Sequence, residues 1–292
     1  MIKRTFGKNG FEVSALGFGA GHIGGNELSD TEAGKLLNYA LDNGITLFDT
    51  ARAYGLSEER IGKFLSYRRN EFILSTKVGY GVPGYQDWTY DIILAGIERA
   101  LKICRSDYID IIHLHSCSKE ILLKGDVIDA LERAKSDGKI RVAAYSGENE
   151  ELEYAVSCGR FGSVQTSVNV ADQIGLDELI PIAKEKGMGV IAKRPVANAL
   201  WKYDQQPYGN YAEEYWIRWQ KMNLHFDIEP QELFIRFSVF TPGIDSAILG
   251  TSGIEHLKAA INAVKKGPLP LDIFMKIRTS FIENDDNWRG KT

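Results

Sequence analysis

Four polar side chains in this sequence are of types that can transfer and steer protons: Asp49, Tyr54, Lys77 and His115. Each comes at or shortly after the end of a short apolar run, and these runs cover residues 45–48, 72–74 and 109–114. Such runs are typical of buried strands, so the polar groups are expected where strands end. A phenol titrates near pH ~10 in water and becomes a useful acid near neutrality only beside a cation that stabilises the phenolate. Lys77 can supply that cation for Tyr54, which makes the four residues a candidate active site.

The elements that must position these side chains alternate along the chain. Strands are predicted over residues 15–19, 47–49, 72–76, 109–115, 142–145, 163–166, 189–192 and 246–249. Segments with helical spacing lie between them, and Ser29 with Glu32 forms a capping-box pattern before the first helix. Eight such units suffice to close a parallel barrel, in which active sites lie at the carboxyl ends of the strands. We therefore expect an α/β fold of the (β/α)8 TIM barrel type.

Three further features complete the predicted architecture. Asn9-Gly10 is a strong signal for a tight turn, so an N-terminal β-hairpin is expected ahead of the barrel. A long polar and aromatic loop is expected after the seventh barrel strand, from about residue 194 to 228. Because neither a Pro/Ser-rich linker nor a short repeat interrupts the chain, residues 1–292 are predicted to form a single domain.

Composition argues against several classes of protein. The 39 acidic and 35 basic residues give a formal net charge of −4, which argues against a nucleic-acid-binding surface. No run of ~18 apolar residues is present, so no membrane span is expected. The first residues lack the apolar core of a signal peptide, and the cysteines are few, odd in number and irregularly spaced: Cys104, Cys117 and Cys158. A cytoplasmic location is therefore expected, while the oligomeric state stays open.

The chain also resembles a known family along nearly its whole length. The matching motifs are Leu16-Gly17-Phe18-Gly19, Phe48-Asp49-Thr50-Ala51 with Tyr54-Gly55, Ser57-Glu58 with Gly62, Ser75-Thr76-Lys77, Asp107-Tyr108-Ile109-Asp110 leading to His115-Ser116, and Gly138-Lys139-Ile140-Arg141. In this order and at this spacing they resemble the aldo-keto reductases. The resemblance implies a (β/α)8 barrel, a nicotinamide cofactor and the reduction of aldehydes or ketones to alcohols by hydride transfer.

The resemblance assigns a role to each of the four polar residues. Tyr54 would be the general acid, and Lys77 would stabilise its phenolate. Asp49 would pair with Lys77 and keep it charged, and His115 would hydrogen-bond the substrate carbonyl. Taken singly, each residue has an ordinary explanation as a turn former, a packing aromatic, a solvated charge or a structural histidine. Their joint pattern favours a shared site.

The resemblance also implies cofactor-binding residues: Gly19, Ala20, Ser146, Gln165, Lys193, Arg194, Gly250, Thr251 and Ser252. The sequence departs from the family pattern at Gly147, where an asparagine is usual, and Asn149 is a candidate substitute. Lys193-Arg194 stands where the family often has an aromatic that stacks on the nicotinamide. These two cations would either attract the cofactor's pyrophosphate or form a solvated basic pair.

The loop Gly250–Gly253 precedes a predicted helix, and a helix start favours anions. By resemblance this loop would hold an adenosine 2′-phosphate, which favours NADP. However, His256 and Ala259-Ala260 replace the family's usual adenosine contacts, so NAD stays open as the alternative.

On the substrate side, Trp88 is expected to line the pocket together with Tyr54 and His115, and the substrate itself is expected to be a small carbonyl compound. The aromatic residues between 201 and 219 suggest a pocket wall, a lid or an interface, with core packing as the ordinary alternative. The sequence identifies neither the substrate nor the direction of the reaction.

Two other functions are compatible with this chain. One is an NADP-binding regulatory or redox-sensing module without significant turnover, since fold does not fix function. The other is a metal-dependent barrel hydrolase, because His113 and His115 lie on one face of a strand. A catalytic zinc site usually needs three protein ligands, and the remaining histidines show no comparable pairing, so no metal is expected.

Overall fold

A computed structural model describes residues 1–292, and eight parallel strands in it close into a barrel. The barrel strands are β3 Leu16–Gly19, β4 Leu47–Asp49, β5 Ile73–Val78, β6 Ile109–His115, β7 Ile140–Ser146, β8 Ser163–Ser167, β9 Gly189–Lys193 and β10 Ser246–Gly250. They follow one another around the barrel in chain order, and β10 pairs with both β9 and β3 to close it. The expected (β/α)8 TIM barrel is confirmed.

Helices connect the strands and pack around the barrel. They are α1 Asp30–Asp42, α2 Ser57–Leu65, α3 Tyr90–Cys104, α4 Lys119–Lys124, α5 Asp126–Ser136, α6 Asn149–Ser157, α7 Leu179–Glu185, α8 Glu213–Met222, α9 Pro230–Phe240, α10 Ile254–Lys265 and α11 Leu271–Asn284. The predicted capping box forms at the start of α1, where Glu32 N donates to Ser29 Oγ at 3.2 Å and Ser29 N donates to Glu32 Oε2 at 3.0 Å. No helix combines the length and the apolar character needed to cross a bilayer.

The predicted hairpin is present and closes the amino-terminal end of the barrel. Its strands, β1 Lys3–Thr5 and β2 Glu12–Ser14, pair antiparallel. Phe6, at the start of the connecting turn, is fully buried in a cluster with barrel-interior side chains such as Ile111 and Ile191. An apolar plug at this end leaves the opposite end of the barrel for polar groups.

The interior of the barrel changes character along its axis. Near the carboxyl ends of the strands the buried side chains are polar and include Asp49, Lys77, His113, Ser146 and Gln165. All five are less than 3% exposed. Burial of so many polar groups is costly unless they form hydrogen bonds with one another. This polar layer is therefore the candidate location of the active site.

The segment after β9 differs from the predicted long loop. It contains a short 3₁₀ helix, Ala197–Lys202, and the helix α8. Its tryptophans pack against α9: Trp201 and Trp219 both meet Phe234 edge-on, with ring centroids 5.0 and 5.1 Å away. Core packing, the ordinary alternative, therefore accounts for these two aromatic residues. Helix α11 was not predicted either, and it packs on the same cluster through Ile277 and Phe281.

Candidate active site

A buried ion pair between Asp49 and Lys77 lies at the centre of the candidate site. Asp49 is the last residue of β4, and Lys77 lies near the end of the neighbouring β5. Lys77 Nζ donates to Asp49 Oδ2 at 2.5 Å, and each side chain is only 2% exposed. The same ammonium donates to the carbonyl oxygen of Thr50 at 2.8 Å. The Lys77 charge is therefore fixed in place at the carboxyl end of the barrel.

The second oxygen of the Asp49 carboxylate is also fully engaged. Ser75 Oγ donates to Oδ1 at 2.7 Å, and Gln165 Nε2 donates to it at 2.9 Å. His113 Nε2 lies 3.1 Å from Ser75 Oγ. Because the single proton of the Ser75 hydroxyl goes to Asp49, His113 must be the donor in that contact. Donors on both oxygens offset part of the cost of burying the ion pair.

These contacts keep both members of the pair charged. Burial would raise the pKa of the Asp49 carboxyl, but the Lys77 ammonium and the other donors outweigh burial, and the pKa is lowered. Burial would likewise lower the pKa of Lys77, yet the Asp49 carboxylate and the nearby Tyr54 phenol outweigh it, and that pKa is raised. Lys77 is therefore a permanent positive charge under ordinary conditions.

Tyr54 lies beside this charge, in the tight turn that follows β4. Its ring centroid is 5.1 Å from Lys77 Nζ and 6.0 Å from the ring of His115, which it meets edge-on at 87°. The turn depends on Gly55, which has φ of +54° and where a Cβ would lie 2.4 Å from the carbonyl oxygen of Gly24. Tyr54 is half-buried, so the structure brings a phenol, an ammonium and an imidazole together at a partly open position.

His115, the last residue of β6, completes the group of four. Burial, together with the Lys77 and Lys193 cations, lowers its pKa from 6.5 to about 3. Its imidazole is therefore neutral near neutrality and can direct a hydrogen bond, but it is not a proton source there. Its Nδ1 lies 3.0 Å from the Tyr80 hydroxyl, and none of its hydrogen bonds within the protein uses Nε2.

The buried imidazole of His113 predicts how stability depends on pH. Burial, followed by the opposing effects of Asp49 and Lys77, lowers the pKa of His113 from 6.5 to about 4. Between those values the unfolded chain binds a proton that the folded protein does not, so stability falls as pH is lowered from 6.5 towards 4. The expected loss is up to about 1.4 kcal/mol per pH unit for each such imidazole.

Denaturant unfolding of His113→Gln and of the unaltered protein, measured at several pH values across this range, checks the prediction. The stability difference between the two proteins should shrink on acidification, because only the unaltered protein carries the buried imidazole at position 113. The exposed His225, replaced in the same way, provides the matched control. A difference that does not change with pH would contradict the assignment of His113 as a buried neutral imidazole.

Ser146 and Gln165, both predicted cofactor contacts, lie side by side on β7 and β8. Ser146 Oγ donates to Gln165 Oε1 at 2.9 Å, and the amide nitrogen of Gln165 donates to Asp49. A hydrogen-bonded chain thus connects the end of β7 to the ion pair. The Gln165 amide still has a second N–H and a second lone pair, which can serve a ligand.

The departure from the family pattern at Gly147 has a steric cause. A Cβ at this position would lie 2.4 Å from the Tyr145 hydroxyl oxygen, so an asparagine fits only if Tyr145 moves. Asn149 does not replace it, because its side chain is occupied by the C-terminal residues. Asn149 Nδ2 donates to the Gly290 carbonyl oxygen at 3.0 Å, and Gly290 N donates to Asn149 Oδ1 at 2.8 Å.

Lys193 and Arg194, at and just after the end of β9, are held by protein partners. Lys193 Nζ pairs with Glu148 Oε1 at 3.1 Å, with the two side chains 16% and 4% exposed. Arg194 Nη1 donates to Ser167 Oγ at 3.0 Å and also to the carbonyl oxygen of Lys291. The interpretation of the two residues as a solvated basic pair is therefore wrong.

Two buried acids near these cations were missed by the sequence analysis. Glu148 accepts from the backbone N and the hydroxyl of Ser167 at 3.0 and 2.8 Å. Asp172 accepts from the Tyr215 hydroxyl at 2.9 Å, and burial followed by the charge of Glu148 raises its pKa to about 7. The position of Glu148 just after a barrel strand was an available signal. Asp172 lies in an irregular segment and has no comparable local signal.

Five of the predicted cofactor-binding residues lie near one another: Gly19, Ala20, Gly250, Thr251 and Ser252. They lie together because β3 and β10 end side by side, with Gly19 opposite Gly250. Thr251 Oγ1 accepts from Gly253 N at 3.1 Å, and helix α10 then begins without a side-chain cap. The first turn of this 12-residue helix leaves backbone N–H groups that can bind an anion.

Trp88, the predicted substrate contact, lies in the loop that follows β5. Its backbone N donates to the Gly79 carbonyl oxygen at 2.8 Å, and its φ is 61°. Its ring centroid is 5.6 Å from the ring of Tyr80, which stacks on His115 at 5.6 Å. Trp88 therefore connects to His115 through Tyr80.

Comparisons with known proteins agree with this geometry. L-galactose dehydrogenase of Arabidopsis thaliana is 29% identical over 280 residues, which cover 89% of this chain and 87% of that protein. An uncharacterised oxidoreductase of Bacillus subtilis is 28% identical and covers 90% of this chain and 91% of its own length. The solved holo form of an aldo-keto reductase from Bacillus halodurans superposes with a TM-score of 0.83 at 28% identity, covering 96% of both chains.

The family-level comparison covers most of the chain. The family described as Aldo/keto reductase family matches residues 15–280, which include all eight barrel strands. Together with the closed parallel barrel and the polar layer at its carboxyl end, this match is sufficient for assignment. The chain belongs to the aldo/keto reductase family and is an NAD(P)H-dependent oxidoreductase.

Proposed function

We propose that this protein reduces aldehydes or ketones to alcohols and that Tyr54 is the general acid of the reaction. The single observation that carries the proposal is the position of the Tyr54 ring, 5.1 Å from an Nζ of Lys77 that a buried Asp49 keeps charged. A cation there stabilises the phenolate that remains after the proton has been given up. General acid catalysis of this kind contributes about 10²–10⁴-fold to a rate.

When bound, the nicotinamide would supply the hydride, and the protein's side chains would hydrogen-bond and protonate the carbonyl oxygen. His115 is proposed to donate a hydrogen bond to that oxygen, which its neutral state allows. Tyr54 gives its hydroxyl proton to the same oxygen as negative charge develops there. Lys77 then balances the phenolate, and Asp49 holds Lys77 in place throughout.

We propose NADP(H) as the cofactor, with NAD(H) as the alternative. The residues assigned to it are Gly19, Ala20, Ser146, Gln165, Lys193, Arg194, Gly250, Thr251 and Ser252. The unused hydrogen-bonding capacity of Gln165 suits a carboxamide, and the uncapped start of α10 suits a phosphate. Gln165 lies on β8 and α10 follows β10, so only β9 separates the two strands that carry these proposed contacts.

The two cations at the end of β9, Lys193 and Arg194, differ in how well they could bind the cofactor's pyrophosphate. Glu148 neutralises Lys193, whereas the hydrogen-bond acceptors of Arg194 are uncharged oxygens of Ser167, Tyr211 and Lys291. An uncompensated guanidinium is the better partner for a phosphate. We therefore assign this role to Arg194 and a supporting role to Lys193.

The proposal is tested by following the absorbance of reduced nicotinamide while a panel of aldehydes and ketones is offered. NADPH and NADH are supplied in parallel, and turnover is expected with NADPH at the higher kcat/KM. Retention of the cofactor without turnover of any compound would favour the regulatory or redox-sensing alternative. The barrel-hydrolase alternative would need a metal site, and no group of three His, Cys, Asp or Glu side chains is placed to bind a metal ion.

Replacement of His115 by alanine is expected to lower kcat/KM by about 10²-fold, the usual cost of removing one donor to a developing oxyanion. The barrel should stay folded, because His115 is only partly buried at a strand end. Steady-state kinetics with the best substrate of the panel, together with thermal unfolding, check both statements.

The matched control for His115→Ala is His225→Ala. His225 is exposed and makes no hydrogen bond to the polar layer. This control should retain full activity. If His115→Ala reduces the same substrate at the unaltered rate while remaining folded, His115 does not act on the carbonyl.

A further inference from the structure

Tyr80 makes a contact with His115 that the reaction described above does not use. Its hydroxyl oxygen lies 3.0 Å from His115 Nδ1, and the two rings are stacked at 25° with centroids 5.6 Å apart. Trp88 packs on Tyr80 as well, and Arg52 Nη1 donates to the Tyr80 carbonyl oxygen at 3.1 Å. Tyr80 is thus fixed through both its ring and its backbone.

The proton in this contact can be located by counting donors and acceptors. Burial, followed by the effect of Tyr54, raises the pKa of Tyr80, so its phenol carries a proton at neutral pH. The imidazole of His115 is neutral and has one N–H and one bare nitrogen. The Tyr80 hydroxyl has no other hydrogen-bond partner in the protein, so donation to Nδ1 is the arrangement that uses its proton.

We propose that Tyr80 is a positioning residue: its hydroxyl donates to His115 Nδ1 and thereby holds the imidazole in the tautomer that is protonated on Nε2. This tautomer leaves an N–H donor on the nitrogen that has no protein partner. The inference deepens the proposed function and rests on it for one consequence only, which is that the Nε2 donor serves the substrate carbonyl.

The tautomer can be measured without any turnover. Nitrogen NMR of protein labelled with ¹⁵N at its 5 histidines distinguishes a protonated from a bare ring nitrogen, and His115→Gln identifies the relevant signal. In the unaltered protein His115 is expected to be protonated on Nε2. A signal showing protonation on Nδ1 would overturn the proposal, whatever any variant does.

Tyr80→Phe removes the donor and keeps the stacked ring. In this variant the His115 signal is expected to shift towards a mixture of the two tautomers, and kcat/KM is expected to fall about 3–10-fold, the size of one hydrogen bond. Affinity for the cofactor should not change. Tyr85→Phe, in the same loop but 48% exposed, is the control and should match the unaltered protein in both measurements.

These outcomes separate the inference from the proposed function. An unaltered His115 tautomer in folded Tyr80→Phe would overturn the role of Tyr80. A changed tautomer with unchanged kcat/KM would support the role of Tyr80 and count against the role of His115 in the proposed function.

Discussion

Tyr54→Phe is expected to lower the turnover of a carbonyl substrate by about 10²–10⁴-fold, because it removes the phenol whose ring centroid lies 5.1 Å from Lys77 Nζ. The phenyl ring keeps the packing against His115, with which Tyr54 makes an edge-on contact at 6.0 Å. Cofactor affinity, measured by quenching of tryptophan fluorescence, should therefore stay within a few-fold. The loss should appear in kcat, since the proton is needed only as the oxyanion develops.

The control for Tyr54→Phe removes the same hydroxyl group elsewhere. Tyr208 is 82% exposed, and its replacement by phenylalanine should leave the rate unchanged. Near-normal turnover in folded Tyr54→Phe would exclude Tyr54 as the acid. It would redirect attention to water or to the neighbouring Tyr80, whose hydroxyl also lies at the site.

Much of the fold was predictable because local signals and tertiary structure agree. The apolar runs before Asp49 and His115 are buried strands, and the carboxyl ends of parallel strands meet at one end of a barrel. That argument alone brings Asp49, Lys77 and His115 together. Tyr54 follows because only four residues, 50–53, separate it from the end of β4.

Helix α8 was not predicted because its buried face does not look apolar. The face carries Tyr215, Arg218 and Met222. Arg218 is 2% exposed and donates to the carbonyl oxygens of Ala171 and Arg289, which are distant in sequence. A buried arginine interrupts the periodic pattern on which helix prediction depends.

The partners of the predicted polar residues were also out of reach of sequence reasoning. Lys193 pairs with Glu148, and the side chain of Asn149 forms hydrogen bonds with Gly290, which lies 141 residues away along the chain. Such pairs depend on which strand ends become neighbours and on where the C-terminal residues return. The residue types at the site were therefore predictable, whereas the choice of bonds among them was not.

Replacing Lys77 by methionine is expected to destabilise the protein by about 3–5 kcal/mol and to abolish turnover. Methionine fills a similar volume but leaves the Asp49 carboxylate buried without its counter-charge. The two donors that remain, from Ser75 and Gln165, do not neutralise it. Chemical denaturation at neutral pH measures the loss, provided that unfolding is reversible and two-state.

The sign of the pH dependence distinguishes this cause from simple loss of packing. In the unaltered protein the pKa of Asp49 is lower in the folded state than in the unfolded state. This difference stabilises the fold at pH values above the unfolded-state pKa, and the stabilisation is lost as pH falls through the folded-state pKa. Without Lys77 the buried carboxyl is expected to prefer its neutral form, which raises its folded pKa above the unfolded value. The penalty of Lys77→Met should therefore shrink as pH is lowered from neutrality towards about 4.

The double variant Asp49→Asn/Lys77→Met removes both charges of the pair. An asparagine at position 49 can still accept from Ser75 and Gln165, so most of the stability lost in Lys77→Met should return. Turnover should not return, because the cation beside Tyr54 is still missing. A double variant as unstable as Lys77→Met would mean that Lys77 stabilises the fold through its packing and not through its charge pair with Asp49.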